Sequence, residues 1–172
     1  HKASGNLPEW SKDSRVFWEA AEDQRRANGR AYREFTIGLQ EELTLQENIE
    51  LVKELLKRTN IQANHVYTYA IHDKPAAFEP EHRNIHCHLM FNEKVLEKNR
   101  PLGKEKFFGK YVEDDKGNAI AGYRSERKWT TKATNLELRR TWAKIVNEKF
   151  AEKEMENRID ERNITEQYEE KV

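Results

Sequence analysis

The sequence has a single cysteine and no long apolar run, and each of these absences excludes a class of protein. The one thiol among 172 residues, Cys87, cannot form a disulfide within the chain. No stretch of about 18 apolar residues occurs, and the N-terminus lacks the charged-then-apolar layout of a secretory signal. We therefore expect a soluble cytoplasmic protein.

The chain also lacks an overall charge, because 31 Lys and Arg residues balance 31 Asp and Glu residues. Total charge thus gives no sign of a nucleic-acid partner. Between Lys94 and Lys132, however, eleven basic residues stand against six acidic ones. This local excess is suited to phosphate contacts, although a solvated surface explains it equally well.

The chain length and the absence of repeats or linkers predict one domain, covering residues 1–157, with a polar C-terminal tail at 158–172. Because the chain begins at His1 rather than at a methionine, we expect that upstream residues have been removed.

Hydrophobic periodicity predicts the elements of an α+β domain with a mostly antiparallel sheet and helices on its face or faces. A capping box at Thr44–Glu47 begins one helix, and a second box at Thr134 is expected to begin another. The predicted helices cover 13–28, 44–58 and 134–157, the predicted strands cover 30–39, 65–73 and 84–95, and a turn is predicted at 114–118.

The strand "NIHCHLM" carries two histidines at alternate positions. Because side chains alternate between the faces of a strand, His86 and His88 should project from one face, about 7 Å apart at the backbone. An antiparallel neighbour ending in "YAIHD" would bring His72 beside them. Three imidazoles suit a divalent transition metal and leave coordination positions open.

Three carboxylates could serve this site. Glu34 lies in the middle of a strand and could orient a ligating histidine, act as a base, or pair with an arginine. Glu42 follows that strand and could be a base or a helix-terminal acid. Asp73 could accept a hydrogen bond from an imidazole that binds the metal, or simply cap the end of its strand. The other histidines, His1, His65 and His82, are expected at the surface.

Several blocks of the chain resemble, in order and spacing, the MobA/MobL family of plasmid mobilisation relaxases, within the histidine-hydrophobe-histidine (HUH) endonucleases. The resemblance covers residues 1 to about 155. The blocks are "LPEW", "FWEAAEDQRRANGRAYREFTIGLQEELT", "YAIHD", "NIHCHLM" and "RRTWAKIVNEKF".

The resemblance implies that His72, His86 and His88 hold Mn²⁺ or Mg²⁺ at the scissile phosphate of single-stranded DNA at a transfer origin, oriT. Mn²⁺ or another transition ion is expected, because imidazoles are unusual ligands for Mg²⁺. Glu34 and Glu42 match two family glutamates that position or deprotonate the nucleophile. Relaxosome accessory proteins are the implied partners, and a membrane is not.

In the family, a tyrosine attacks the phosphodiester, and the attack is reversed when the strand is rejoined. That tyrosine lies upstream of the "LPEW" block, and Tyr32 is not its replacement because it belongs to the strand block. We therefore expect this chain to hold the metal but to be inactive alone. The family's first strand lies in the same upstream segment, so we expect an exposed sheet edge or a gap unless that segment associates.

Basic and aromatic residues between positions 98 and 129 are expected to bind the strand through charge and stacking. The alternative for the aromatic residues Phe107, Phe108, Tyr111, Tyr123 and Trp129 is a small satellite core. The predicted DNA-binding residues are Arg100, Lys104, Lys106, Lys110, Arg124, Arg127 and Lys128.

Three other functions remain open from the sequence. A non-catalytic single-strand DNA-binding or origin-recognition module would keep the fold without the chemistry. A replication initiator or transposase would place its tyrosine after the histidine pair, where Tyr168 stands in the polar tail. A histidine-metal hydrolase would require a further ligand motif, which the sequence lacks.

Overall fold

The computed structural model describes residues 1–25, 29–162 and 166–167. The strands and helices below are numbered in chain order. Their bounds are β1 Lys2–Gly5, α1 Ser14–Asp23, β2 Arg33–Gly38, α2 Leu45–Arg58, α3 Ile61–Asn64, β3 Tyr67–Pro75, β4 Arg83–Phe91, α4 Lys104–Phe107, β5 Val112–Glu113, β6 Ala119–Ala121 and α5 Lys132–Glu152, with a 3₁₀ turn at Arg127–Thr130 before α5.

The central sheet has four strands in the order β1-β3-β4-β2, and each neighbouring pair is antiparallel. The predicted fold class, α+β with a mostly antiparallel sheet, is therefore confirmed. The predicted loop between the second and third strands joins β3 to β4, which pair from Tyr67–Phe91 to Pro75–Arg83.

Strand β1 was not predicted, because "KASG" is short and lacks an alternating apolar pattern. It pairs with β3 through Lys2–Ala70 to Gly5–Tyr67 and so covers that edge of β3. Gly5 is required there, because a Cβ atom would lie 2.3 Å from the ring of Tyr67. The outer strands of this four-stranded sheet are therefore β1 and β2.

Alternation along the strands gives the sheet two chemically different faces. One face is apolar: Ile71, Cys87 and Leu89 are buried against α2 and α5, which contribute residues such as Val52 and Phe150. The other face carries the histidines. Helix α1 lies across part of this second face, where Trp18 Nε1 donates a hydrogen bond to Thr68 Oγ1 at 2.9 Å.

The first capping box is confirmed, but the start of the last helix differs from the prediction. Thr44 and Glu47 exchange both capping hydrogen bonds at the start of α2. Helix α5 begins three residues earlier than expected, with Thr131 as its N-cap and Thr134 N–H as the donor to it. Thr134 therefore lies in the first turn and does not cap the helix.

The ends of the other elements follow local hydrogen bonds. Helix α5 stops at Glu152 rather than Asn157, because Glu154 adopts φ 56° and Met155 N–H donates to Phe150 O at 2.9 Å. Strand β4 ends at Phe91; one residue further, the Asn92 side chain donates to Ala31 O and accepts from Lys94 N–H, while its backbone N–H donates to Val66 O. Helix α1 ends at Asp23, while the predicted end at Asn28 lies outside the described residues.

The beginning of the predicted C-terminal tail is attached to the domain. Ile159 packs against the main core, and its backbone N–H and C=O both bond the side chain of Asn147, at 2.8 and 3.0 Å. Among the described residues, no helix is long and apolar enough to cross a membrane.

A substitution pair tests the start of α5. We expect Thr131→Ala to lower the free energy of unfolding by about 1 kcal/mol, because it removes the N-cap acceptor. Thr134→Ala keeps that acceptor and should cost distinctly less. Urea denaturation of both variants measures the difference, and a larger loss for Thr134→Ala would contradict the observed cap.

Candidate metal centre and nucleic-acid interface

The three predicted histidines meet on the open face of the sheet. His72 lies directly opposite His86 in the β3–β4 ladder, and His88 follows two residues later on β4. The ring centroids are 5.4, 5.2 and 5.1 Å apart for the pairs 72–86, 72–88 and 86–88. One nitrogen from each ring lies within 4.8 Å of the other two.

Hydrogen bonds orient two of these rings. His88 Nδ1 lies 2.7 Å from Glu34 Oε1, and His86 Nδ1 lies 3.3 Å from Asn84 O. Because a carboxylate and a carbonyl oxygen only accept, each Nδ1 carries a hydrogen, and in the neutral imidazole Nε2 is then the nitrogen with the free lone pair. Both Nε2 atoms are therefore available to a metal ion.

The electrostatics of the cluster favour the neutral form of His72. Partial desolvation, followed by repulsion from His88 and His86, lowers the pKa of His72 below its ordinary value. Neutral imidazole is the form that binds metals.

The donor set suits one divalent ion. Imidazole nitrogens bind zinc-like ions at about 2.1 Å, so two nitrogens on one ion are at most about 4.2 Å apart. The observed limit of 4.8 Å is within reach after small side-chain rotations. Among the described residues, this is the one group of three or more His, Cys, Asp or Glu side chains with such spacing.

The carboxylates predicted for the site separate into two kinds. The structure places Glu34 beside His88, in the position of a group that orients a ligand. Glu42 lies elsewhere and accepts a hydrogen bond from Asn157 Nδ2 at 3.1 Å.

The structure places Asp73, predicted to accept a hydrogen bond from an imidazole, against an arginine. Asp73 follows His72 in β3, so it points to the other side of the sheet, and its carboxylate pairs with the Arg83 guanidinium. The hydrogen bonds from Arg83 hold the pKa of Asp73 below its usual value.

Sequence reasoning missed Glu41, which fastens the end of the β3–β4 loop. Its carboxylate accepts from Arg83 N–H at 2.9 Å and lies 2.9 Å from His82 Nδ1. These contacts, led by the backbone N–H of Arg83, lower the pKa of Glu41. The sequence analysis predicted a role for the neighbouring Glu42 instead, because no spacing pattern shows which of the two glutamates makes these contacts.

The surface location predicted for His65 is wrong, whereas His1 and His82 are exposed as expected. His65 is fully buried; its Nδ1 lies 3.1 Å from Lys94 O and its Nε2 lies 2.9 Å from Glu126 Oε2. The same carboxylate oxygen accepts from Trp129 Nε1 at 2.7 Å. Burial alone would raise the pKa of Glu126, but the hydrogen bonds from His65, Lys128 and Trp129 outweigh it and lower that pKa.

Three of the seven predicted DNA-binding residues have partners within the protein. Arg100 bonds Glu97 and Gly122 O, and Arg124 pairs with Glu113. Lys128 pairs with Glu126 and lies over the Trp129 ring. The remaining four are exposed and have no ion pair among the described residues: Lys104, Lys106, Lys110 and Arg127.

The aromatic residues of the same region form mostly a satellite core. Phe107, Tyr123 and Trp129 are 1, 3 and 2% exposed, so they cannot stack on bases in this structure. Phe107 and Tyr123 pack with Phe17 of α1 in a second hydrophobic cluster. Phe108 and Tyr111 are half-buried and remain accessible. The predicted turn at 114–118 is confirmed as the tip of the β5–β6 hairpin.

The fold and site together define a class of protein: an α+β domain that presents three converging histidines, one of them oriented by a carboxylate, on an open antiparallel sheet. The chain belongs to the MobA/MobL family, which it matches over residues 2–172. The resemblance to plasmid mobilisation relaxases is therefore confirmed.

Two curated relatives align with nearly the whole chain. The 43 kDa relaxation protein of Salmonella typhimurium is 33% identical over 168 residues, covering 95% of this chain and 44% of that protein. Mobilization protein A of Escherichia coli is 30% identical over 165 residues, covering 95% and 22%. The chain thus spans less than half the length of these relatives.

One solved structure shares the fold. It is described as "Molecular Basis of Vancomycin Resistance Transfer in Staphylococcus aureus" and superposes with a TM-score of 0.65 at 22% identity, covering 95% of this chain and 75% of the other. At this identity, the likeness concerns the fold alone.

Proposed function

We propose that this chain is the part of a plasmid mobilisation relaxase that binds single-stranded DNA at the transfer origin. In this role, His72, His86 and His88 hold a divalent cation at the scissile phosphate and support nicking and rejoining by tyrosine transesterification. The observation that carries the proposal is the convergence of three histidine nitrogens within 4.8 Å on an open sheet face. Relatives named relaxation protein and mobilization protein A support it.

The three imidazoles would bind the cation through one nitrogen each, and the open face leaves room for a phosphate oxygen. A bound cation would polarise the phosphoryl group and offset charge that develops during attack. The contribution of Glu34 is to fix the ring of His88 through Nδ1, so that Nε2 stays directed away from the carboxylate. We propose Mn²⁺ ahead of Mg²⁺, because nitrogen ligands disfavour Mg²⁺.

We also propose that none of the described tyrosines is the nucleophile, so that this chain alone binds DNA without cleaving it. Tyr69 and Tyr123 are 2 and 3% exposed. Tyr67 packs against the main core, and Tyr111 donates to Glu113 at 2.6 Å. Tyr32 is exposed beside Trp18 and is the described tyrosine that a cleavage experiment must test.

The remaining parts of the proposal concern location and partners. Relaxases act on plasmid DNA, so we propose a bacterial cytoplasmic location and relaxosome accessory proteins as partners. The residue proposed to help position or deprotonate the nucleophile is Glu34, which touches the histidine cluster; Glu42, predicted for the same role, bonds Asn157 instead.

A single oligonucleotide experiment tests this function. The probe carries the nic site of the cognate origin, either with its natural scissile phosphate or with an uncharged methylphosphonate at that position. We expect Mn²⁺ to increase affinity for the natural oligonucleotide only, because the proposed metal contact requires a charged oxygen. Fluorescence anisotropy with and without EDTA measures this difference.

Denaturing gels of the same samples test the nucleophile. We expect no covalent protein–DNA adduct; an adduct that disappears in Tyr32→Phe would assign the reaction to Tyr32 and contradict the proposal. Binding that is equally strong with EDTA, and with either oligonucleotide, would favour the alternative of a non-catalytic DNA-binding module.

A further inference from the structure

A cleft of 680 Å³ lies beyond the end of β4, away from the histidine cluster. Its walls come from the end of α1, the residues that precede β2, the segment after β4, and the chain around the β5–β6 hairpin. Asn92 lines it, four residues beyond His88 along β4, which corresponds to about 13 Å of extended chain. The cleft is therefore separate from the histidine cluster. It is still close enough for one single-stranded DNA molecule to reach both.

The cleft is lined by more basic than acidic side chains, although the whole chain is neutral, and Arg25, Arg30 and Arg124 are paired with carboxylates. Its lining contains one acidic residue, Glu93, and that carboxylate already accepts a hydrogen bond from Arg33 Nε at 2.6 Å. The basic lining residues are Arg25, Arg30, Lys94, Lys110, Arg124 and Arg127. Lys110 and Arg127 are exposed and form no ion pair among the described residues, so their charges are available to a ligand.

One wall of the cleft is flat and aromatic. The guanidinium of Arg124 lies over the ring of Tyr111, 5.0 Å from its centroid, and Glu113 fixes it with a 2.6 Å ion pair. Phe108 is half-buried in the same lining. Stacked aromatic and guanidinium planes are the surfaces on which proteins hold unpaired bases.

We propose that this cleft binds one nucleotide of the DNA strand, outside the position gripped at the histidines. The phosphate lies against Lys110 and Arg127, and the base stacks on the Tyr111–Arg124 wall. This inference rests on the proposed function, which supplies the single strand. The cleft adds a second point of attachment that fixes the direction and register of the strand across the sheet.

The test uses Lys110→Gln/Arg127→Gln and oligonucleotides of increasing length on either side of the nic site. In EDTA and about 50 mM salt, we expect an affinity loss of about tenfold for long oligonucleotides, because two phosphate contacts are removed. An oligonucleotide with one nucleotide on each side of the phosphate is too short to reach the cleft and should bind both proteins equally. Tyr111→Ala should lower the affinity for the long oligonucleotide by about five- to a hundredfold, because it removes a stacking surface for the base.

Lys53→Gln/Lys144→Gln is the matched control, because it removes two exposed charges from α2 and α5 on the opposite side of the sheet. An equal loss in this control, or a loss that does not depend on oligonucleotide length, would overturn the cleft assignment. Mn²⁺ titration without DNA reads the histidine site independently. If Mn²⁺ binds normally but the loss of oligonucleotide affinity does not depend on length, only the cleft proposal is refuted. If the loss of affinity depends on length but Mn²⁺ does not bind, only the proposed metal role is refuted.

Discussion

His86→Ala is expected to lower the affinity for Mn²⁺ by more than about a hundredfold. Loss of a group that only orients a ligand costs about 10- to 100-fold, and removal of a ligand should cost more. His86 lies between the other two histidines in the ladder, opposite His72 and two residues from His88. Its loss leaves two imidazoles, which hold a divalent ion poorly. Isothermal titration calorimetry with Mn²⁺ measures the change directly.

DNA binding by the same variant separates the metal-dependent contribution to affinity from the contribution of the basic side chains. The Mn²⁺-dependent gain in affinity for the oligonucleotide should disappear, while binding in EDTA should stay near that of the unmodified protein, because it rests on Lys and Arg. His82→Ala is the matched control: it removes an exposed imidazole that is paired with Glu41, away from the cluster. Equal loss of Mn²⁺ binding in both variants would contradict the three-histidine site.

His65→Leu should destabilise the protein by about 2–3 kcal/mol. The leucine fills most of the buried volume but removes the hydrogen-bonding partner of Lys94 O and one partner of the Glu126 carboxylate, which still accepts from Trp129 Nε1. Leaving a buried hydrogen-bonding group unsatisfied costs about 1–3 kcal/mol, and the fully buried position of His65 places the loss in the upper part of that range. Urea denaturation with a constant m-value measures the loss.

His82→Leu is the control for this variant, with an expected change within about 0.5 kcal/mol, because the pair of His82 with Glu41 is exposed. A double variant, His65→Leu with Glu126→Leu, adds a further check. If the two groups act as a pair, the combined loss should be smaller than the sum of the single losses. Strict additivity would mean that the pair is not the source of the stability.

The histidine cluster could be predicted from the sequence because it depends on backbone geometry that does not vary. Side chains at alternate positions of a strand share a face, which places His86 with His88. A short loop between two strands favours antiparallel pairing, which places His72 opposite His86. The same alternation also excludes Asp73 from the site, a consequence that the assignment of Asp73 as an imidazole acceptor overlooked.

The features that the sequence analysis predicted wrongly or missed depend on partners distant in sequence, or on a choice between residues that suit a position equally well. His65 is buried because Glu126, 61 positions later, and Lys94 supply its acceptors. Thr131 and Thr134 are both suitable caps, and only the full path of the chain into α5 selects Thr131. Strand β1 forms from four residues with little intrinsic preference, because β3 offers them an edge to pair with.

The burial of Cys87 has a consequence for chemical modification of the protein. It lies between the two histidines of β4 but projects into the apolar core, where burial raises the pKa of its thiol to about 12. The reactive thiolate is therefore scarce, and alkylating reagents can reach the sulfur only when the apolar core around it opens. The rate of thiol alkylation thus reports how often the helices and the sheet separate at that point, with no added label.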